Sequence, residues 1–340
     1  MKRCTAIRGL AFAIVGLLLF ISSVDSAEQG LVIKMATLAP EGSSWMKEFN
    51  AINAEVMERT KGKVSFKGYP GGVLGDEKDM MRKMQIGQIH AAVLTTGGLA
   101  ALFHEIDVIH IPFLFQNYGE VDYVLKNMTP HFTKGLEAKG YILLGLVEGG
   151  FVNLMSTTPV ASVAELKKTK VWIWHESPQA KAIFNEAGVA AIPLAVPDVL
   201  VGLQTGLVEV VYTPPTAAIA LQWFTRVKYI TDVPLSYVGG GIIVRKDIFK
   251  KLSPETQTLV IKIFQRHLDL MKAVTRQENQ EATRVMVKNG VKIVTPSKDQ
   301  VAEFKRLSDT AIGRIVNQTF SQKAVDDVTA QLEAYRKARR

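Results

Sequence analysis

Residues 80–96 of this chain read MMRKMQIGQIHAAVLTT, and a similar stretch, VLVGLQTGLVEVVYTPP, returns at residues 199–215. Each stretch is typical of an amphipathic helix that ends at Gln-x-Gly and is followed by a short apolar strand. Glycine is common just past the end of a helix, because without a Cβ atom it adopts the left-handed backbone conformation at little cost. The two stretches therefore predict the same helix–strand unit at two places in the chain.

The strand part of each copy, residues 89–94 and 207–211, is short and rich in β-branched side chains. Such strands are typical of a sheet that helices cover on both faces. The copies lie 119 residues apart, from Gln85 to Gln204, which is the length of a domain. Two similar α/β lobes, each presenting the end of a strand, predict a ligand-binding cleft between them.

Strand and helix patterns alternate around both copies. Residues 31–37 predict a strand, residues 43–60 a helix, and residues 64–69 a second strand. The alternation recurs after the chain crosses to the second lobe near residues 149–153, where residues 170–174 predict a strand. We therefore expect an α/β fold with mainly parallel sheets covered by helices.

A long helix follows the second lobe. After Pro254 it contains neither glycine nor proline up to about Lys288, and it therefore extends over about 50 Å, enough to brace both lobes. Ser253 is the expected N-cap. The predicted division of the chain is a signal peptide at 1–26, lobe I at 27–150 plus 236–260, lobe II at 151–235, the bracing helix at 254–288 and C-terminal helices at 298–340.

The N-terminus has the layout of a secretory signal peptide, with basic residues before an apolar run at 9–21 and small polar residues after it. The run of about 13 residues is shorter than the roughly 20 that a membrane-spanning helix needs. We expect cleavage after Ser26 or one residue later, and no membrane insertion afterwards. Cys4, the only cysteine, leaves with this segment. A disulfide scaffold and a cysteine nucleophile are therefore excluded.

Composition argues against two further kinds of partner. The formal net charge is +9, and the only dense basic run is YRKARR at 335–340. A nucleic-acid surface needs a basic stripe with interleaved aromatic residues, so we expect no nucleic-acid partner. The six histidines are scattered, and no pair has metal-ligand spacing. Phosphate-loop and dinucleotide motifs are also missing, so we expect no metal and no cofactor.

The order of these motifs resembles the extracytoplasmic substrate-binding proteins of tripartite ATP-independent periplasmic (TRAP) transporters, the DctP-type family. The resemblance covers essentially the whole mature chain. Besides the long helix, it rests on YPGGVLGDEKDMMRKMQIGQI at 69–89, IPFLF at 111–115, LKKTKVWIW at 166–174 and LQTGLVEVVYTPP at 203–215. It implies a two-lobed periplasmic binding protein that closes by a hinge over a small ligand. It also implies membrane permease subunits as partners, a periplasmic location and transport without catalysis.

The chain departs from the family pattern at the ligand-binding positions. Where the family usually has an arginine that pairs with the ligand's carboxylate, this chain has Trp172. A second arginine of some members falls at Val152 or a neighbour, and the family's Glu-Asn-Pro reads Tyr212-Thr213-Pro214. The usual carboxylate clamp is therefore absent, and the resemblance does not carry a dicarboxylate ligand over to this chain.

We expect the ligand at the carboxyl ends of the strands. Trp172 and Trp174 share one face of a strand and form aromatic walls suited to a flat, apolar or cationic ligand, although packing under a helix would also explain them. Glu176 follows that strand and either receives an ammonium or hydroxyl group or caps the next helix. The further candidates are hydroxyls at strand ends, acids and aromatic walls, with core or turn roles as the alternative: Tyr212, Thr213, Thr96, Glu41, Glu148, Phe115 and Tyr237.

Three functions fit this pattern: a transport receptor, a periplasmic enzyme and a ligand-sensing partner of a signalling receptor. An enzyme needs a nucleophile with a base or paired carboxylates, and the one local pairing, His175 with Glu176, joins neighbours whose side chains point apart. The receptor is therefore the favoured interpretation. Its ligand is expected to be neutral or amine-bearing, because an unpaired carboxylate in a closed cleft is costly. The alternative is an organic acid held by hydroxyls, N–H groups or a bound cation.

Overall fold

The computed structural model of the chain describes residues 30–174 and 177–339. The predicted signal peptide and the candidates His175 and Glu176 lie outside these residues. The strands are β1 Leu31–Ala36, β2 Val64–Tyr69, β3 Ala91–Thr95, β4 Tyr141–Ser156, β5 Lys170–Trp174, β6 Ala190–Leu194, β7 Val210–Thr213, β8 Tyr229–Thr231, β9 Ser236–Arg245 and β10 Lys292–Val294. The helices are α1 Ser44–Arg59, α2 Glu77–Gln85, α3 Thr96–Ala100, α4 Tyr118–Ala138, α5 Val163–Leu166, α6 Pro178–Glu186, α7 Val199–Thr205, α8 Pro215–Ala220, α9 Lys246–Phe249, α10 Pro254–Lys288, α11 Lys298–Ile315 and α12 Gln322–Lys337.

The two repeat copies form the predicted unit. Helix α2 leads to strand β3, and helix α7 leads to strand β7. The glycine after each helix has a positive φ, 77° at Gly87 and 70° at Gly206, as expected for a left-handed helix end. Both strands begin two or three residues later than predicted, because a short turn separates each glycine from its strand.

The strands form two connected sheets. One runs in the order β2-β1-β3-β9-β4 and the other in the order β4-β7-β5-β6, with β8 also paired to β4. Within each lobe the short strands are parallel, β1 with β2 and β3, and β5 with β6 and β7. The expectation of mainly parallel sheets holds there, but β4 and β9 run antiparallel to their neighbours. The sheet as a whole is therefore mixed.

Strand β4 joins the two lobes. Its first part, as far as Val152, pairs with β9, and its last part, from Asn153, pairs with β7. The crossing that the sequence predicts near residues 149–153 is thus one continuous strand rather than a loop. The exact boundaries of the lobes stay predictions.

Helix α10 braces both lobes. Ser253 caps it, accepting from the backbone N–H of Thr256 at 3.3 Å, as the sequence predicts. Phe264, in its first half, packs into the hydrophobic core of lobe I with residues of α1, whereas Met286, near its end, packs into the core of lobe II. Because one rigid helix enters both cores, it limits how the lobes move relative to each other. No helix within residues 30–174 and 177–339 is long and apolar enough to cross a membrane.

Candidate functional site

A cavity of about 810 Å³ lies between the two lobes. Lobe I contributes the loop between β1 and α1, the end of β3 and the middle of β4 and β9. Lobe II contributes the ends of β5 and β7 and helix α8, and α10 closes one side. The cavity thus lies where the sequence predicts it, at the carboxyl ends of the parallel strands of both lobes.

Trp174 of lobe II holds the lobes together across the cavity. Its indole N–H donates to Oδ2 of Asp76 in lobe I at 2.9 Å. Its ring lies so close to Gly97 that a Cβ atom on this glycine would be 2.4 Å from the ring. Farther along the cleft, the side-chain amide of Gln179 in lobe II donates to the backbone carbonyl of Asp107 in lobe I at 2.7 Å. The described structure is therefore a form in which the lobes touch.

Trp172 both lines the cavity and belongs to the core of lobe II. Its indole N–H donates to the backbone carbonyl of Leu194 at 3.1 Å, and its ring lies 5.2 Å from that of Tyr212 and 5.1 Å from that of Trp223. The two interpretations of this residue, core packing and cavity wall, are thus compatible. At this position the cavity wall carries no charge.

Tyr212 and Thr213 end strand β7 and line the cavity. The Tyr212 hydroxyl is buried without a well-formed hydrogen bond to any described residue. Burial raises the pKa of Tyr212, and the nearby backbone N–H of Trp174 opposes that shift. A buried hydroxyl without a partner is costly, so Tyr212 is suited to a polar group of a ligand or a water molecule.

The acids Glu41 and Glu148 also line the cavity, but only one of them is paired. Nε and Nη2 of Arg276 donate to the two carboxylate oxygens of Glu148 at 2.7 Å each. Nη1 of the same guanidinium donates to Asp122 at 2.9 Å, and these two carboxylates raise the pKa of Arg276. The arginine beside the cavity is thus engaged by two protein carboxylates. Glu41 is exposed in the loop before α1.

Three predicted site residues do not line the cavity. Phe115 and Tyr237 lie in the core of lobe I, with ring centroids 5.9 Å apart. Thr96 opens helix α3, and its hydroxyl turns toward β9 and donates to the backbone carbonyl of Gly239 at 3.0 Å. The preceding residue, Thr95, takes the position on the cavity wall. The expected roles of these three side chains as walls or orienting groups are corrected to packing and helix anchoring.

Glu77 is the main site residue that the sequence reasoning missed. It lines the cavity, yet only 1% of the residue is exposed. Its oxygens accept from the backbone N–H of Thr95 at 2.6 Å and from the Thr95 hydroxyl at 2.9 Å. Burial, together with the nearby charge of Asp76, raises the pKa of Glu77 to about 8 against the opposing effect of the Thr95 donors. The sequence contains one sign of this role. Three acids stand at the start of α2, and Asp76 and Asp79 suffice for its capping box, so the third acid, Glu77, is free for another function.

The described lining of the cavity contains carboxylates but no lysine and no arginine. Helix α10 adds two acids: Glu278, which accepts from the Ser44 hydroxyl, and Glu281, which lies 3.1 Å from Arg284. His110 is the basic side chain of this lining. Among the residues that the structure describes, no three His, Cys, Asp or Glu side chains are placed to hold a metal ion. The acids of the lining are Glu41, Glu77, Glu148, Glu278 and Glu281.

Comparisons with known proteins all point to extracellular solute-binding proteins, and they cover most of the chain. The family model described as bacterial extracellular solute-binding protein, family 7 (DctP), matches residues 35–319. The 2,3-diketo-L-gulonate-binding periplasmic protein YiaO of Escherichia coli (strain K12) is 26% identical over 293 residues, which are 83% of this chain and 86% of that protein. The C4-dicarboxylate-binding periplasmic protein DctP of Rhodobacter capsulatus is 23% identical over 298 residues, 83% of this chain and 89% of that protein.

The fold has close counterparts among solved structures. The sugar acid binding protein of Advenella mimigardefordensis strain DPN7T, solved in complex with galactonate, superposes with a TM-score of 0.84. The alignment covers 90% of this chain and 99% of that one at 20% sequence identity. This likeness confirms the two-lobed α/β fold.

Proposed function

This chain belongs to bacterial extracellular solute-binding protein family 7, the DctP family of TRAP receptors, and we propose that its own ligand is a neutral or amine-bearing small organic molecule. The receptor captures this molecule in the cavity between its lobes and delivers it to the permease subunits of a TRAP transporter. Proteins of this family are solute-binding components of transporters rather than enzymes. We also propose that this chain itself catalyses no reaction.

The observation that carries the proposal is the charge of the cavity wall. Five acidic side chains line the described part of the cavity, whereas lysine and arginine are missing from it. A ligand carboxylate buried there would lose its hydration without gaining a cationic partner, which costs several kcal/mol. An ammonium, a hydroxyl or a π-system would meet groups that suit it, since Trp172 and Trp174 supply aromatic faces.

An organic acid is the competing ligand class, because the names of the relatives record acids such as 2,3-diketo-L-gulonate and C4-dicarboxylates. In this cavity an acid would have to rely on His110 or on neutral donors, such as the Tyr212 hydroxyl, protonated Glu77 and backbone N–H groups. None of these matches the two-pronged donor geometry of a guanidinium. We therefore rank the acid second.

The contact residues and the location complete the proposal. Trp172, Trp174, Tyr212 and Thr213 from lobe II and Glu41 from lobe I are the proposed ligand contacts, because they line one cavity. The periplasm is the proposed location, since the named relatives are periplasmic proteins. We also propose that the lobes close over the ligand by a hinge and that the signal peptide is cleaved near residue 26.

A thermal-shift screen of the mature protein, starting at Ala27, tests the ligand class. Acids, amines and alcohols that share one carbon skeleton are compared at equal concentration. A ligand at about 100 times its dissociation constant stabilises the folded protein by roughly 2.7 kcal/mol, which is a readable shift in Tm. Stabilisation by amines or alcohols but not by acids supports the proposal. Preferential stabilisation by acids contradicts it.

A further inference from the structure

Glu77 combines three properties that a purely structural carboxylate does not need. It is almost fully buried, it lines the cavity, and no cationic side chain pairs with it among the residues that the structure describes. A buried carboxylate without a cation is rare, because the desolvation of its charge is not repaid. The two hydrogen bonds from Thr95, one to each oxygen, provide donors for the ionised carboxylate but bring no positive charge.

Among the described residues, the charged neighbour that acts on Glu77 is an acid. Asp76 precedes it on α2 and binds the indole N–H of Trp174 from β5. Strand β3 and helix α3 present Thr95 and Gly98, which carry no charge. The other ionisable groups of the cavity are Glu41 on the β1–α1 loop, Glu278 and Glu281 on α10, Glu148 with its partner Arg276, and His110. His175 and Glu176, next to Trp174 in sequence, are outside the described residues.

We propose that Glu77 selects the charge of the ligand: it receives the ammonium group of an amine-bearing ligand and releases its own proton when that ligand binds. This inference rests on the proposed function and narrows the ligand class to amines. In the exchange, the carboxyl O–H of Glu77 breaks and its proton leaves to solvent. The ligand's N–H then donates to the resulting carboxylate, so charge and protons balance.

This exchange predicts how affinity depends on pH. Burial holds Glu77 protonated up to a pKa of about 8. Below that pH each binding event releases one proton, so the affinity for an amine rises by about tenfold per pH unit. Above about pH 8 the affinity levels off, and it falls only when the amine itself loses its proton near pH 10. A neutral ligand shows no such slope, and a carboxylate that accepts from protonated Glu77 binds with constant affinity below about pH 8 and more weakly above it.

Tryptamine, tryptophol and indole-3-acetate are suitable probes, because they share an indole ring and differ in the terminal group. Their dissociation constants are measured by calorimetry at pH 6, 7 and 8, in two buffers with different ionisation enthalpies. We expect tryptamine to bind most tightly, with affinity about 50-fold higher at pH 8 than at pH 6 and release of about one proton at pH 6. In Glu77→Gln, whose amide oxygen still accepts from Thr95, the slope disappears. Glu333→Gln, which removes an exposed carboxylate from α12, retains it.

The outcomes separate the two proposals. Equal binding of tryptamine and tryptophol, or tryptamine affinity that is independent of pH, overturns the role of Glu77 and leaves the proposed function standing. Tightest binding of indole-3-acetate overturns both. Absence of binding by all three probes also counts against the role of Glu77, since an ammonium site should retain at least weak affinity for a simple aromatic amine. Proton release by the wild type is informative even if Glu77→Gln fails to fold.

Discussion

Replacing Gly97 by alanine should weaken ligand binding without weakening the fold of lobe I. The new Cβ atom would lie 2.4 Å from Trp174 of the opposite lobe, whereas ordinary contacts of this kind are 3.4–4 Å. The indole cannot simply rotate away, because its N–H is bound to Asp76 at 2.9 Å. The lobes must therefore separate by about 1 Å at this point. Gly97 lies inside helix α3 at an ordinary φ, so alanine suits the backbone and favours the helix by up to about 1 kcal/mol.

Overpacking of this size costs about 1–3 kcal/mol, and here the cost falls on the form in which the lobes touch. If ligand binding requires that form, the apparent affinity should fall by roughly 5- to 150-fold. The assay is a titration of Gly97→Ala and wild type with the best-binding compound of the thermal-shift screen. Small-angle scattering with and without the compound reports lobe closure.

Two further variants make the test specific. Gly313→Ala adds the same methyl group to helix α11, where nothing lies within 4 Å, and should bind like the wild type. Trp174→Leu in the Gly97→Ala background removes the ring that the methyl group meets and should recover compaction. The reasoning is refuted if Gly97→Ala binds and compacts as the wild type does, because the contact between Trp174 and Gly97 would then not belong to the ligand-bound form.

Three other predictions concern charges at the cavity. The raised pKa of Glu77, about 8 when folded against about 4.3 when unfolded, means that the ligand-free protein loses stability as pH rises between these values, by up to about 1.4 kcal/mol per pH unit. In denaturant unfolding, the free energy of unfolding should fall less between pH 5 and pH 8 for Glu77→Gln than for the wild type. Arg276→Met leaves Glu148, whose side chain is 2% exposed, without its cation and should lower the free energy of unfolding by about 2–4 kcal/mol. Trp172→Arg should lower Tm without ligand and gain stabilisation by carboxylates, as measured by thermal shift.

Each of these predictions has a contradicting result. An unchanged pH profile in Glu77→Gln would show that the carboxyl titrates normally in the folded protein. If Arg276→Met leaves the free energy of unfolding unchanged, Glu148 is hydrated or protonated rather than held by the ion pair. If carboxylates fail to stabilise Trp172→Arg more than the wild type, this position does not determine which charge the cavity accepts.

Local signals in the sequence predicted most of the fold. Serine before a helix and glycine after one act through bonds and backbone angles within a few residues, so Ser253 and Gly206 were identified without tertiary information. The direction of β4 and β9 was not predictable in the same way. An apolar, β-branched run indicates a buried strand but does not show which neighbour it pairs with or in which direction.

The residues of the candidate site also fall into two groups, those that local sequence predicts and those that only tertiary contacts reveal. Trp172, Trp174 and Tyr212 line the cavity and are predictable, because open α/β sheets bind ligands at the carboxyl ends of their strands. In the sequence Glu77 stands at a helix start, where an acid is stabilised in any helix, and only tertiary packing turns it inward. Likewise, Arg276 meets Glu148 across 128 residues of sequence, a distance that no local pattern spans.

Trp172 stands where the family resemblance implies an arginine, and its effect must be weighed together with the ion pairs that distant residues form. Arg276 pairs with Glu148 on the cavity wall, but Glu148 and Asp122 already occupy its donors. A ligand carboxylate would therefore gain no cation, and it would face the acids of the wall. At an effective dielectric constant of 20, two like charges 6 Å apart repel by about 3 kcal/mol, more than a hundredfold in affinity. Under the proposed function, the tryptophan at position 172 therefore favours a neutral or cationic ligand over an anionic one, and this argument depends on the partners of the neighbouring charges as well as on the residue itself.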